Sequence, residues 1–574
     1  MIRRKIRLRW VFPASFLLCC GLTLLPGVPV HGYGQLWFAL PLLFWFRNPG
    51  QRRRLLLFAV GIVAQVLAFP DIDWGVLGWV LLVPYLLARE CPDGAHPWRA
   101  ALLYGFLRAH VGFFWLGWIH FLAWFAVSVF SAALFALLFE GTLRLARFLP
   151  YALRVAIGWI LFEWGHARLF GGFPWLYLSH TQYEFHTLIQ AADVVGAAGI
   201  SFLIAFAQAA ALRVLRERRW REGGVAALLL LATLAYGTFR VGPGEGKREE
   251  VLLVQTNFSH SVKMSEELTL EVLLDKLYGL TLEGLAAHPG CQLIVWPETM
   301  FPYPYVEGDP EDPYEFESTL RLLAHEFRRP VLYGINSFTT REKALRLRGY
   351  NALLLADAEG HIAGIYRKQR LVPVGEEFLL RRLLPERWCD RVMDLMIRWL
   401  RYPESCDLEA GEGFVLLDAG PGLRCAPLIC FEGLYPDLAR EVMSVGEADL
   451  ILHLMNNGWF GPFEPRQAIA SWVFRAVETR MPFVSCANVG QSCLVEPDGR
   501  VSATIEPVPA EGFLAVRIPR PWPLPLYLRG GYLVLPLLLA GVAATLGLVR
   551  LLRGGWGGPG GGGAGSAEES WGPS

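Results

Sequence analysis

The sequence predicts a polytopic α-helical membrane domain joined to a soluble α/β domain. Hydrophobic residues make up 53% of the 574 residues, and the mean hydropathy of +0.35 exceeds that of ordinary soluble chains. The long apolar runs crowd into the part before Lys247 and recur once at the end. Between Lys247 and Pro525 charged residues return, and short β-branched or leucine runs alternate with helical patterns.

The first span, Trp10 to Val28, follows the basic stretch Arg3 to Arg9 and has the shape of a signal peptide. No small-residue cleavage site is evident and further spans follow, so it reads as retained. Runs of membrane-helix character come next at Leu55 to Phe69, Trp74 to Leu87, Ala101 to Phe121, Leu122 to Leu143, Val155 to Phe170, Ile189 to Leu212, Val225 to Gly237 and Tyr532 to Leu552. The shorter Gln35 to Trp45 forms a hairpin with the first span.

Basic loops stay cytoplasmic. Counting Gln35 to Trp45 as a crossing places Arg47 with Arg52 to Arg54, the Arg144 to Arg154 loop, the Arg213 to Arg221 cluster and Arg550 with Arg553 on that side. The opposite loops, Pro29 to Gly34, Pro70 to Asp73 and Gly171 to Phe185, contain no lysine or arginine. Ten spans result, and the α/β domain falls outside the cytoplasm. The expected domain limits are 1–50 for an extra N-terminal hairpin, 51–244 for the membrane helical domain, 245–526 for the α/β domain, 527–553 for a C-terminal span and 554–574 for a disordered glycine-rich tail.

Within the α/β part, EEVLLVQTN, CQLIVWPE, RPVLYGIN, NALLLADAEG, RCAPLICFE, ADLILHLMNN, PFVSCANVG and SCLVEPDGRV read as strands. Glu266 to Ala286, Glu315 to Phe327 and Arg466 to Thr479 read as the helices between them. A net charge of +1, with arginines in short clusters between apolar runs, argues against a nucleic-acid partner. Ten cysteines without C-x-x-C pairs or zinc-ligand spacing indicate neither a metal site nor a disulfide scaffold; Cys389 and Cys406 alone could pair. Nothing points to an organic cofactor.

Three stations carry the chemistry, each at or just after the C-terminal end of a strand-like run. LIVWPETMFP holds Glu298, GHIAGIYRKQRLVPVGEEF holds Lys368 and Glu376, and APLICFEGLYPD holds Cys430 and Glu432. A thiol attacks as thiolate, favoured by a nearby cation or a helix N-terminus, and Tyr435 to Ser444 reads as a helix after the turn. Glu298, bracketed by Trp296, Pro297 and Phe301, has the apolar setting that raises a carboxyl pKa toward general-base use. Lys368 supplies positive charge where an oxyanion develops, with a backbone N–H after the cysteine; losing one such donor costs about 3 to 4 kcal/mol in the barrier. Singly, each has a plain structural reading: a buried small hydrophobe, a solvated loop acid, a surface lysine. Their joint occurrence in this order weakens that reading.

The succession WPE, YRKxxLVPxGE, LICFE and NNGWFG at Asn456 to Gly461 resembles the nitrilase superfamily. With a multispan half before it and one span after it, the chain is similar to the apolipoprotein N-acyltransferase family in particular. GGFPWLYLSHTQ at Gly171 to Gln182 is similar to that family's GFPW loop, and VQTNFSHSVK at Val254 to Lys263 to its entry strand. The resemblance implies an αββα sandwich, with Glu298 as general base, Lys368 as oxyanion-stabilising lysine, Cys430 as acylated nucleophile, and Glu376, Phe431 and Glu432 in support. It further implies a glycerophospholipid acyl donor, a diacylglyceryl-apolipoprotein acceptor, no cofactor, and a place in the bacterial cytoplasmic membrane with the catalytic domain on the periplasmic side. Phe431 stands where the family often has tyrosine, Met264 where many members have tryptophan, and Ala468 where many have histidine. The last two departures put lipid contacts in doubt rather than the triad.

Trp175, Trp388, Trp399, Asn457 and Trp459 are candidates for lipid or substrate contact. Trp388, Val392, Met396 and Trp399 share one face of a helix from Arg387 to Arg401, which either lies in the membrane interface or packs on the α/β core. Trp175 either lines an acyl path or anchors its loop. Arg108, His110 and His120 in one predicted span mark a polar pocket, or else Arg108 snorkels. Cys425, Cys486 and Cys493 read as structural. The triad alone leaves two rivals: a membrane-tethered amidase that hydrolyses its thioester, and a non-catalytic lipoprotein-binding scaffold.

Overall fold

The structure, a computed structural model, describes residues 49–536 apart from short internal stretches, the longest being 259–269, 308–315, 340–347, 378–384 and 393–407. The N-terminal hairpin, the glycine-rich tail, nearly all of the C-terminal span, His120, Met264, Phe301, Trp399, Cys406 and the side chain of Trp459 lie outside the described residues.

Among the described residues six long helices build the membrane half: α1 (Pro49–Ala68), α2 (Pro97–Gly112), α3 (Phe121–Leu134), α4 (Tyr151–Arg168), α5 (Ala192–Glu217) and α6 (Trp220–Arg240). Three helical stretches among the described residues are both long and apolar enough to cross a membrane: Phe121–Leu145, which continues α3, then α5 and α6. The predicted span Trp74 to Leu87 is two short pieces, a 3-10 turn at Gly75–Trp79 and a helix at Val83–Ala88 with Pro84 in its first turn. Close packing explains the break. A Cβ on Gly75 would lie 2.2 Å from the Thr181 carbonyl oxygen, and one on Gly78 2.2 Å from the Thr181 hydroxyl. The predicted span Ala101 to Phe121 likewise ends its helix at Gly112.

Both ends of the helical half are marked chemically. At one end Arg216 pairs with Glu90, Arg54 donates to the Cys91 carbonyl at 3.1 Å, and Arg89 and Arg144 clamp the buried Glu140 at 2.7 and 2.9 Å. The arginine-rich loops therefore converge there. The opposite end meets the α/β domain.

That domain has two sheets face to face. The first runs β13-β1-β2-β4-β5-β6 with β3 on β4, and the second β12-β11-β10-β9-β8-β7. In chain order the strands are β1 (Glu250–Gln255), β2 (Leu293–Val295), β3 (Tyr305–Glu307), β4 (Val331–Thr339), β5 (Arg348–Ala356), β6 (Ile362–Arg367), β7 (Leu417–Asp418), β8 (Arg424–Ile429), β9 (Leu450–Met455), β10 (Phe483–Ala487), β11 (Cys493–Val495), β12 (Val501–Thr504) and β13 (Gly512–Arg517). The central strands are parallel and read as continuous apolar runs because both faces are covered.

Side-chain alternation sorts the layers. Val251, Leu253, Leu293 and Val295 of the first sheet meet Cys425, Ile429, Leu452 and Val484 of the second in one core. Leu252, Val254, Ile294 and Trp296 point the other way, in a cluster with α7 (Leu270–Ala287) and α8 (Phe316–Phe327). Ala426, Leu428 and Ile451 of the second sheet share a core with α9 (Pro436–Val442), α10 (Glu464–Thr479) and the membrane helices. The αββα sandwich thus borrows the membrane half as part of its outer wall.

A buried polar seam fixes this contact. Arg480 donates to Asp193 of α5 at 2.7 and 3.0 Å and to the Gln190 side chain at 2.6 Å. The Ala197 amide donates to Glu478 at 2.7 Å. Indole N–H groups of Trp115 and Trp175 both reach the Gln467 side-chain oxygen, at 3.2 and 2.8 Å.

Candidate active site

The three predicted stations come together at the C-terminal ends of β2, β6 and β8. Glu298, three residues past β2, is 5% exposed. Its strand end passes so near β4 that a Cβ on Gly334 would lie 2.4 Å from the Glu298 Cα, which is why that position has no side chain. Thr299, immediately after, has a φ of 48°, a region non-glycine residues rarely occupy. Asn351, inside β5, donates from Nδ2 to Glu298 Oε1 at 2.8 Å and to Glu376 Oε1 at 3.1 Å. The Asn351 carbonyl meanwhile accepts the Lys368 amide at 2.9 Å.

Lys368 follows β6 and is 0% exposed. Its Nζ lies 2.9 and 2.8 Å from the two Glu376 oxygens and 3.9 Å from Glu298 Oε1. Burial alone would lower its pKa, but Glu376, Cys430 and Glu298 offset that and hold the ammonium protonated above its ordinary range. Burial pushes the Glu298 carboxyl above its ordinary value; Lys368 opposes this, and Glu376 adds to it. Glu298 is thereby a better proton acceptor than a surface carboxylate.

Cys430 follows β8 and begins a 3-10 turn, Cys430–Leu434, that leads into α9. The helix expected from Tyr435 to Ser444 is therefore preceded by a tighter one that starts at the cysteine itself. Its thiol hydrogen-bonds the Glu298 carboxyl, and its φ of 50° is left-handed. Among the described cysteines Cys430 is the one that is not buried. Burial pushes the thiols of Cys425 and Cys486 well up, and that of Cys493 to about 12, so those three are inert in this fold.

Glu432 is a buried hub. Its carboxylate accepts the amides of Ile429 at 2.8 Å, Gln369 at 2.7 Å and Arg370 at 3.0 Å. The lysine loop and the cysteine turn are thus pinned to one carboxylate. Burial raises its pKa, with those amides and Lys368 opposing.

The nucleophile turn packs against the membrane half. The Phe431 ring lies 5.6 Å from Phe173 of the GFPW loop and 5.3 Å from Tyr435. The Tyr435 hydroxyl is within reach of the Gly171 and Gly172 carbonyls at 3.1 and 2.8 Å. Arg370 donates to Gly171 at 3.3 Å and covers the Tyr435 ring. Trp175 is buried beside Phe173 and Trp115. Asn457 is buried too, and among the described residues its side-chain Nδ2 has no hydrogen-bond partner. Trp388 stands 49% exposed on a helical turn apart from these. Among the described residues no group of three His, Cys, Asp or Glu side chains is placed to hold a metal.

Two family models match the chain: the apolipoprotein N-acyltransferase N-terminal domain over residues 60–210 and carbon-nitrogen hydrolase over residues 250–521. The apolipoprotein N-acyltransferase of Geobacter metallireducens is 31% identical over 474 residues, covering 78% of this chain and 86% of its own. The chain belongs to the apolipoprotein N-acyltransferase family. Another family member, from Rhizobium rhizogenes, is 28% identical over 80% of this chain and 88% of its own. Among solved structures, Saccharomyces cerevisiae Nit3 of the nitrilase superfamily is 18% identical over 47% of this chain and 90% of its own, with a TM-score of 0.34.

In this member of the apolipoprotein N-acyltransferase family, sequence reasoning passed over Asn351, Tyr366 and His453. Asn351 bridges the two carboxylates, Tyr366 donates to Glu432, and His453 Nε2 lies 2.7 Å from the Cys430 carbonyl oxygen. For Asn351 and His453 a signal was present: a polar residue inside an otherwise apolar strand run, which burial tolerates only when it is hydrogen-bonded.

Proposed function

We propose that Cys430 takes an acyl chain from a glycerophospholipid and passes it to the α-amino group of the N-terminal S-diacylglyceryl-cysteine of an apolipoprotein. The observation that carries this is the pairing of a thiol–carboxyl hydrogen bond at Cys430 and Glu298 with a nucleophile turn seated on the membrane half through Phe431–Phe173 and Tyr435–Gly172.

Glu298 accepts the thiol proton as sulfur attacks the ester carbonyl. The tetrahedral oxyanion is met by the Lys368 ammonium and the Phe431 amide. Glu298 then returns the proton to the departing glycerol oxygen, which leaves as lysophospholipid, and the acyl group rests on sulfur. In the second half Glu298 takes a proton from the incoming amine as nitrogen attacks the thioester. The oxyanion collapses, the amide forms, and the Cys430 thiolate leaves and regains its proton. Glu376 holds Lys368 in place, and the aromatic wall of Phe173, Phe431 and Trp175 borders the acyl path and limits water at the thioester.

The gathering of the arginine loops at the end of the bundle away from the α/β domain supports a place in the bacterial inner membrane with catalysis on the periplasmic side. Incubating the full chain with phospholipid and reading its intact mass tests the proposal: wild type gains one acyl group on Cys430, and added diacylglyceryl lipopeptide removes it as N-acylated product. No adduct, or release of free fatty acid in place of acylated lipopeptide, overturns it.

A further inference from the structure

His453 sits in mid-strand on β9, fully buried, and the catalytic steps above do not use it. Both ring nitrogens are satisfied: Nε2 lies 2.7 Å from the Cys430 carbonyl oxygen and Nδ1 3.1 Å from the Ser485 hydroxyl. A carbonyl only accepts, so the proton is on Nε2, and Nδ1 is the acceptor for Ser485. The other acceptor near that hydroxyl is the weaker thioether of Met455, at 3.5 Å. Trp472 and Phe483 pack on the ring at 5.2 and 5.3 Å. The turn makes room for it as well, since a Cβ on Gly433 would lie 2.8 Å from His453 Nε2.

The carbonyl that His453 holds belongs to the peptide joining Cys430 to Phe431. In a trans peptide the C=O and N–H point in opposite directions from one rigid plane, so anchoring the oxygen aims the Phe431 N–H the other way. That N–H is in the first turn of the 3-10 segment, where amides have no partner within the helix. Cys430 is held at a left-handed φ, which persists only where neighbours enforce it.

We infer that His453 is a positioning residue: by donating to the Cys430 carbonyl, and being held in that tautomer by Ser485, it aims the Phe431 amide at the oxyanion. This rests on the reading of Cys430 as the acylated nucleophile. A hydrogen bond to the carbonyl also polarises the peptide and strengthens its N–H as a donor.

The test uses the purified full chain with phospholipid, and three readouts: the single-turnover rate of Cys430 acylation, the phospholipid concentration for half-saturation, and the rate of Cys430 alkylation by iodoacetamide, which forms no oxyanion. H453L is expected to slow acylation about 100-fold, with half-saturation and alkylation within about 2-fold of wild type. H453Q, whose amide can donate to the same oxygen, is expected to recover to within about 10-fold, and S485A to lose about 3- to 10-fold as the tautomer is released. If H453L does not fold, H453Q and S485A carry the comparison against wild type. Acylation by H453L or S485A at the wild-type rate, a parallel loss of acylation and alkylation, or H453Q no better than H453L overturns the inference while the acyl-transfer reading stands. A wild-type chain that never acylates on Cys430 overturns both.

Discussion

The Tyr366 hydroxyl lies within hydrogen-bond distance of both Glu432 oxygens, at 3.0 and 2.9 Å. Glu432 in turn holds the amides of Ile429, Gln369 and Arg370, so β6 and β8 meet at one carboxylate. This arrangement needs an acceptor on every side. E432Q is nearly the same shape but turns one acceptor oxygen into a donor that faces a backbone N–H or the Tyr366 hydroxyl. It is expected to slow Cys430 acylation about 100-fold, because a misplacement near 1 Å at a reacting centre has that scale. Y366F leaves three amides in place and is expected to cost about 1 kcal/mol of stability with acylation near wild type. Thermal unfolding in detergent and single-turnover acylation separate the two.

Lys368 is buried between two carboxylates, 2.8 Å from Glu376 and 3.9 Å from Glu298. K368M keeps the volume and removes the charge, leaving two acids facing each other without a cation. Removing one partner of a buried pair costs about 3 to 5 kcal/mol, less whatever is regained as a carboxyl takes up a proton. The expected result is a large drop in Tm together with loss of the acyl adduct. A K368M protein that forms the thioester at the wild-type rate would remove Lys368 from the oxyanion.

The acid limb of the acylation rate reports Glu298. This carboxyl must be ionised to accept the thiol proton, and burial holds its pKa above the ordinary carboxylate value, with Lys368 lowering it and Glu376 raising it. The rate is therefore expected to rise with pH through a midpoint above the ordinary carboxylate range. For stability the sign is opposite. A raised carboxyl pKa favours the folded state below its unfolded value, and that contribution is lost as pH rises through the folded pKa. E376Q removes the charge that pushes Glu298 up, so the limb is expected to move to lower pH. An unmoved limb in E376Q, or the same limb persisting in residual E298Q activity, would assign it to another group.

The strands that carry Glu298, Lys368 and Cys430 differ in how openly the sequence announces them. LIVW and APLI are apolar runs covered on both faces, and a parallel central strand has to look like that. β6, IAGIYR, and β13, GFLAVR, are partly exposed outer strands whose mixed pattern gives no such sign. β13 pairs with β1 from the far end of the domain, a contact that no local period encodes. The helix at Glu315 to Phe327 was legible to within one residue of Phe316–Phe327 because its apolar stripe is strict. Glu298 and Cys430 were legible for the same reason as the strands they follow, whereas Lys368, after β6, was legible only through the YRKxxLVPxGE motif around it. Asn351 and His453 were not, because their roles depend on which face each presents and on the neighbouring register, Leu428 opposite His453 among them.

The seam between the two halves rests on the buried pair of Arg480 and Asp193, at 2.7 Å with Arg240 at 2.8 Å on the same oxygen. D193N leaves two guanidinium groups without their carboxylate and is expected to destabilise the fold by about 3 to 5 kcal/mol. Asp193 contributes nothing to the acid-base steps, so the molecules that remain folded should acylate normally. Measuring Tm and the acylated fraction of folded protein separates stability from chemistry; a variant of unchanged Tm would show the seam to be dispensable.

Trp388 is half exposed, with Arg391 over its ring, as an interfacial helix requires and a core-facing one does not. An indole placed at the headgroup level favours the membrane boundary, and replacing it with a carboxylate reverses that preference. W388D removes no buried contact of consequence, so Tm is expected to hold. Acylation from phospholipid vesicles is expected to fall about 10-fold, while acylation by a water-soluble short-chain thioester, which needs no bilayer, stays within about 2-fold of wild type. Equal rates on both substrates would return this helix to the wall of the α/β domain, and equal losses on both would place Trp388 in the support of the catalytic site.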